Sequence, residues 1–304
     1  MFGGFILKSV SCIIVTYNRL DFLKRCLDHV LNQSYAISHL IVVNNNSTDG
    51  TEAYLNTLTD DRLIITNPHA NIGGAGGFSR GIKTSVEQTS DDFLWLMDDD
   101  TMPEPDCLKE LINSADQLKD QFGFLVSDPL WTDGTPNQMN VPLTKRFWTN
   151  KLSDDLVELE YATFVSFLFS RSSVLKLGLP YKEYFIWSDD IEYSSRLREI
   201  GDGYLVVNSK VIHETGNNVG ADIITDSVNR IPRYFYSYRN LYATWRKYKG
   251  HKGALKQFLQ AMLDLTRVLR HSRDHKWLRV KTLLRGQFAG FFFHPKVDFI
   301  DTNK

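Results

Sequence analysis

The chain has 304 residues, 42% of them hydrophobic and 23% charged, which is enough to bury a core and excludes disordered, collagen-like and disulfide-built classes. Its net charge of −1 hides an asymmetry, because Arg230 to Gly286 holds 15 Lys and Arg against 2 Asp and Glu. That segment is +13 and the remainder −14, a split that gives the two parts different partners.

In chain order, Val10–Thr16 (VSCIIVT) is a continuous apolar run that predicts a buried strand. Asp21 then caps a helix with Phe22, Leu23, Cys26, Leu27, Val30 and Leu31 at helical spacing. Leu40–Val43 reads as a second strand, and Thr48 or Asp49 starts the next helix. Leu63–Thr66 is a third strand, followed by a glycine-rich loop over Asn71–Phe78 and a helix from about Phe78 to Glu87. Phe93–Met97 is a fourth strand that runs into Asp98, Asp99 and Asp100. Such alternation predicts an α/β fold with a mostly parallel sheet covered by helices. Parallel crossovers would bring Thr16–Arg19, Asn44–Asp49, Asn67–Gly77 and Asp98–Asp100 to one polar edge.

Beyond this half, Asp128–Asp155 reads as a surface excursion and Tyr161–Ser170 as a core strand, with a buried helix as the alternative. Asp189 opens a helix ending near Gly201, Tyr204–Val207 and Val211–Ile212 are strand-like, and from Pro232 the chain is helical, aromatic and basic. Cys12, Cys26 and Cys107 lack C-x-x-C spacing and read as buried residues in a reducing compartment. No apolar run reaches 18 residues, and MFGGFILKSV has neither a basic start nor a small-residue cleavage site. Neither a transmembrane helix nor a secretory signal is therefore expected.

Four groups carry candidate chemistry. Asp98-Asp99-Asp100 at a strand end is either an acidic turn or a divalent-cation site, since carboxylates so close repel unless a cation lies among them. The loop with Gly74 and Gly76 reads as a ligand loop rather than a plain turn, though it matches neither G-x-G-x-x-G nor the P-loop pattern. In Trp187-Ser-Asp-Asp-Ile-Glu-Tyr193, Asp189 and Glu192 form a capping box and leave Asp190 free as a general base. His213 closes a strand-like segment, either as a structural histidine or as a further metal ligand. The basic aromatic tail fits nucleic acid, an anionic membrane surface or a solvated helix pair, and the membrane reading is favoured because no nucleic-acid signature is present.

The stretches IIVTYNR, IVVNNNSTDGT, NIGGAGGFSRG, WLMDDD, FIWSDDIEY and VIHETG, in this order over roughly residues 10 to 216, resemble the family 2 inverting glycosyltransferases of GT-A fold. YFYSYRN at Tyr234–Asn240 resembles a segment that follows in the same branch. The GGAGGF, triple-Asp and W-x-D-D-x-E-Y forms are most similar to bacterial galactofuranosyltransferases and their rhamnosyltransferase relatives.

The resemblance implies a GT-A catalytic domain over residues 1–228, a Rossmann-like sheet flanked by helices, and a basic helical region over 229–304 for membrane or acceptor docking. It implies that Thr16, Arg19 and Asn45 hold the uracil and ribose of a UDP-sugar, with Asn45 standing where Asp is frequent. Gly74, Gly76, Asp98, Asp99, Trp187 and Asp189 complete the implied nucleotide-sugar site. Asp98, Asp100 and His213 would hold Mn²⁺ or Mg²⁺, and Asp190 would be the catalytic base. The expected activity is transfer of galactofuranose from UDP-galactofuranose to a lipid-linked cell-surface glycan, on the inner face of the plasma membrane. A rhamnosyltransferase using dTDP-rhamnose and a non-enzymatic nucleotide-sugar-binding module are the alternatives.

Overall fold

The computed structural model describes residues 7–301. Its first half runs β1 (Val10–Thr16), α1 (Leu20–Leu31), β2 (His39–Asn44), α2 (Thr51–Leu55), β3 (Leu63–Thr66), α3 (Gly73–Gln88) and β4 (Phe93–Asp98). Next come β5 (Thr101–Pro103), α4 (Cys107–Gln117), β6 (Phe124–Leu130), β7 (Leu143–Thr144), β8 (Leu156–Tyr161), β9 (Phe167–Ser170) and α5 (Arg171–Leu177). The chain ends with α6 (Asp189–Leu197), β10 (Gly203–His213), α7 (Tyr234–His271) and α8 (Lys276–Phe292).

One sheet carries the strands in the order β3-β2-β1-β4-β9-β6-β10-β8-β7, with β5 paired to β10. Strands β3, β2, β1 and β4 are mutually parallel, and antiparallel β9 joins them to the parallel pair β6 and β10. The apolar strands alternate between two cores, as a pleat buried on both faces requires. Cys12, Ile14, Val42, Trp95 and Met97 pack with α1 and α4 on one face. Ile13, Val15, Ile41, Leu94 and Leu96 pack with α3 and α6 on the other. Each such buried aliphatic or aromatic side chain contributes roughly 1.5–3 kcal/mol. All three cysteines are buried and free.

The glycine-rich stretch is not a loop: α3 already begins at Gly73. Its glycines let the helix sit close on the sheet. A Cβ on Gly77 would lie 2.5 Å from a Val15 methyl, and one on Gly81 would lie 2.4 Å from an Ile13 methyl. Alanine at 81 gains about 1 kcal/mol of helix propensity, but forcing a methyl into that contact costs about 1–3 kcal/mol. Gly81→Ala is therefore expected to lower Tm in a thermal melt; a Tm at or above the parent value would show that α3 can lift from β1.

Other boundaries also differ from expectation. Helix α1 starts at Leu20, so Asp21 lies in its first turn, and the amide of Leu20 donates to the Asp49 carboxylate at 2.9 Å. Helix α2 starts at Thr51, with Asp49 accepting from the Thr51 amide and hydroxyl. Tyr161–Ser170 is neither one strand nor a helix; it is the end of β8, a turn, and β9. The two strand-like pieces after Tyr204 are one strand, β10, with a register shift between Val206 and Lys210.

The basic tail forms three helical segments rather than a pair. Gly250 (φ 58°, ψ −151°) breaks α7, and the Tyr238 hydroxyl donates to Asp264 at 3.1 Å, so the second half folds back along the first. Helix α8 completes the bundle, with Leu283 in the same buried cluster as Ala261 and Val268.

Candidate active site

The parallel strands β1, β2, β3 and β4 end together and place Thr16, Asn44, Thr66 and Asp98 on one edge. Asp99 and Asp100 follow and are buried. The Thr16 hydroxyl donates to Asp99 at 2.7 Å, and the half-exposed Arg19 guanidinium bonds both Asp99 and Asp100. Burial, then the charge of Asp100, pushes the Asp98 carboxyl up to about 8 and the Asp99 carboxyl up to about 6. Burial also pushes Asp100 up, but His213 and Arg19 outweigh it and hold Asp100 below the usual range.

His213 arrives from the end of β10, and its Nε2 lies 3.0 Å from Asp100. Its Nδ1 faces the side-chain oxygen of Asn140 at 2.7 Å, while the Asn140 amide nitrogen donates to Thr163 Oγ1 at 3.1 Å. That arrangement makes Nδ1–H the donor and leaves the Nε2 lone pair facing a carboxylate. Two lone-pair atoms at that distance require a proton or a cation between them. Asp98, Asp100 and His213 each offer a ligand atom, and the three atoms lie within 4.8 Å of one another. Two carboxylate oxygens and one imidazole form a donor set that suits Mg²⁺ or Mn²⁺, so the residues fit the expected cation. The Asn137 amide donates to the His213 carbonyl at 3.1 Å. The excursion over 128–155, expected on the surface, therefore sends the buried Asn137 and Asn140 to orient the histidine.

The other expected residues divide. Asn45 is buried at the same edge, but its amide group is engaged: it donates to Asn71 Oδ1 and the Gly73 carbonyl, and accepts from the Ile72 amide. It therefore anchors the entry to α3. Beyond its chain neighbours and its own helical turn, nothing lies within 4 Å of where a Cβ on Gly74 would stand, whereas one on Gly76 would meet Ile72 at 2.9 Å. Space for close ligand approach thus lies at Gly74.

The segment Tyr184–Asp190 stands against α3, because the Phe185 carbonyl accepts from the Ala75 amide at 3.1 Å. Phe185, Trp187 and Ser188 have φ of 65°, 65° and 69°, a conformation costing about 1–3 kcal/mol per residue and concentrated at functional sites. No capping box forms. Ser188 flanks the helix without a side-chain cap, Asp189 is the first helical residue, and the buried Glu192 pairs with Arg196, Lys247 and Tyr248. The Asp190 carboxylate accepts from the Ile191 amide at 2.7 Å. Burial pushes it up to about 6, while burial and the neighbouring Asp190 push Asp189 up to about 8. Near neutral pH the pair holds one negative charge, a state suited to accepting a proton. The half-buried Trp187 packs edge-on against Tyr234 at 4.9 Å.

The family model described as Glycosyl transferase family 2 matches residues 11–178, more than half of the chain. The chain belongs to glycosyl transferase family 2. It is 26% identical over 252 residues to galactofuranosyltransferase GlfT1 of Mycobacterium tuberculosis H37Rv, covering 77% of this chain and 81% of that protein. It is 22% identical over 288 residues to poly(ribitol-phosphate) beta-N-acetylglucosaminyltransferase TarP of Staphylococcus aureus N315, covering 90% and 84%. Among solved structures, GalNAc-T7 with UDP, GalNAc and Mn²⁺ superposes with a TM-score of 0.60 at 15% identity, over 90% of this chain and 56% of that one. These likenesses establish the GT-A fold and a glycosyltransferase. In this family 2 member Asp98, Asp100 and His213 form a cluster with the spacing to hold a metal ion.

Proposed function

We propose that the protein is an inverting, metal-dependent galactofuranosyltransferase that uses UDP-galactofuranose. The observation that carries this reading is the Asp98–Asp100–His213 cluster at the strand edge together with a second carboxylate that burial pushes up, Asp190, in the first turn of α6 just after the loop packed against α3. The galactofuranosyl assignment rests on likeness to GlfT1, whose name gives that activity, and on the W-x-D-D-x-E-Y form of the loop.

Thr16, Arg19 and the Asn45-anchored start of α3 border the nucleotide, with Gly74 leaving room for its approach. Asp98, Asp100 and His213 would hold the cation, which would supply positive charge against the diphosphate leaving group. Asp190 takes the proton from an acceptor hydroxyl, and the resulting oxygen bonds to the anomeric carbon as the carbon–oxygen bond to UDP breaks. A single displacement converts an α-linked donor into a β-linked product. Trp187, backed by Tyr234, forms an apolar wall beside the base. Calorimetry with Mn²⁺ tests the donor: UDP bound over dTDP, and UDP-galactofuranose over UDP-galactopyranose, is the expected order. Preference for dTDP would move the protein to rhamnosyl transfer, and binding of neither nucleotide would overturn the assignment.

The acceptor in this reading is a lipid-linked glycan at the inner face of the plasma membrane. No helix among the described residues is long and apolar enough to cross a membrane. Helix α7 nonetheless exposes Leu255, Leu259 and Leu263 one turn apart, and α8 exposes Trp277, Leu284, Phe288 and Phe292 opposite its packed face. Lys252, Lys256, Lys281 and Arg285 stand among them. Aromatic and aliphatic side chains interleaved with cations suit an anionic headgroup layer. Liposome flotation with anionic vesicles should show binding that salt weakens and that Trp277→Glu with Phe288→Glu abolishes. Equal flotation by the double variant would refute this docking face.

A further inference from the structure

The segment that leads into the base carries three strained residues. Phe185, Trp187 and Ser188 all sit at positive φ without being glycine, and Ser188 leads directly into Asp189 and Asp190. Besides the Ala75 amide of α3, which holds the Phe185 carbonyl, its carbonyls are held by the first half of α7, in the basic C-terminal region. The fully buried Asn240 directs its side-chain nitrogen at three carbonyl oxygens of this segment, those of Tyr184 (3.0 Å), Ile186 (3.3 Å) and Trp187 (2.8 Å). Its own side-chain oxygen accepts from Arg239 Nε at 2.9 Å, which sets the amide so that the nitrogen faces the segment. Arg239 donates to the Glu183 and Tyr184 carbonyls. One turn on, the buried Thr244 hydroxyl meets the Tyr184 hydroxyl at 2.8 Å.

Three carbonyls converge on one NH₂ group where Phe185, Trp187 and Ser188 take positive φ. Without that donor they would repel each other inside a buried site. Backbone left free at three strained residues would relax toward ordinary φ, and α6, with Asp190 in its first turn, would turn with it. From this geometry we infer that Asn240 is a positioning residue for the transfer reaction: it fixes the Tyr184–Ser188 backbone and so the placement of the Asp190 carboxylate. The inference rests on Asp190 being the base. It also gives the C-terminal bundle a second role beyond docking, since the α7 end nearest the catalytic domain shapes the site.

The test uses the full chain and three variants, Asn240→Ala, Thr244→Val and Asp190→Asn, with the donor that calorimetry selects. Tm, the Kd for UDP with Mn²⁺, kcat and KM are measured for each. Asn240→Ala should bind UDP within about threefold of the parent and lose about 100-fold in kcat, the effect of misplacing a reacting group by an ångström or so. Thr244→Val, which removes a single hydrogen bond, should move kcat in the same direction by about tenfold. Amide exchange over 184–190 should accelerate in both, without a matching change in β1 or β4.

A folded Asn240→Ala protein with parental kcat overturns the inference. So does a loss of kcat that tracks a loss of UDP binding and Tm, which is what a merely structural residue would give. If Asn240→Ala does not fold, Thr244→Val decides: parental kcat there overturns the inference, and lowered kcat with intact UDP binding supports it. Parental turnover by Asp190→Asn would instead overturn the base assignment itself, whatever the other two variants do.

Discussion

Asp190→Asn is expected to lower kcat by about 10²–10⁴-fold, the usual contribution of a positioned general base, while UDP binding in Mn²⁺ stays near the parental value. The isosteric amide cannot accept the proton from the acceptor hydroxyl, and the proposed diphosphate site lies on other residues. The parent's pH profile should have an acid limb. Burial raises the Asp190 carboxyl to about 6, so the base is ionised above that pH and protonated below it, and kcat/KM should fall about tenfold per unit below pH 6. Stability moves the other way. A carboxyl whose pKa is higher in the folded than in the unfolded chain favours folding at low pH, and that contribution is lost as pH rises through about 6. At pH 7.5 the neutral amide avoids burying the charge, so Asp190→Asn should melt at or above the parental Tm. A loss of activity with a stable fold separates a base from a packing residue.

The second large effect concerns the cation. Asp100→Ala removes one ligand and the partner of both Arg19 and His213, and UDP binding should lose its dependence on Mn²⁺. Asn140→Ala is the subtler probe. It leaves all three proposed ligands in place and removes the acceptor that sets the His213 ring and tautomer, together with the hydrogen bond from Asn140 to Thr163. Loss of such a supporting partner typically costs 10–100-fold in metal affinity, read here as the Mn²⁺ concentration needed for half-maximal UDP binding. Unchanged Mn²⁺ dependence in both variants would show that the cluster is not the metal site.

The parallel half of the sheet was legible because each strand is a short continuous apolar run ending in polar residues. Thr16, Asn45 and Asp98–Asp100 therefore fell on one edge by topology alone. The residues alone left His213 open between a structural histidine and a further metal ligand, and the resemblance favoured the ligand, since neighbours in sequence say nothing of a carboxylate more than a hundred residues away. Asn137 and Asn140 were not legible at all: they sit in a polar, Pro- and Thr-rich stretch, and only tertiary folding brings them under the histidine. Gly73–Gly77 misled because glycine has the lowest helix propensity bar proline. Close packing against Val15 and Ile13 overrides that propensity, and loop formation was the wrong inference from a correct composition. Glu192 misled in a similar way. Its spacing from Asp189 matches a capping box, but Arg196 one turn later and Lys247 from α7 pair with its buried charge instead. Asn240 looked like one polar residue in an aromatic, basic run, and its role depends on backbone carbonyls that no sequence pattern displays.

The most direct test of the central claim is the anomeric configuration of the product, read by NMR from UDP-galactofuranose, Mn²⁺ and an alkyl galactoside acceptor. A β-linked product appearing with stoichiometric UDP in the parent, and absent with Asp190→Asn, is what this account predicts. An α-linked product, or UDP and product formed equally fast by Asp190→Asn, would contradict it.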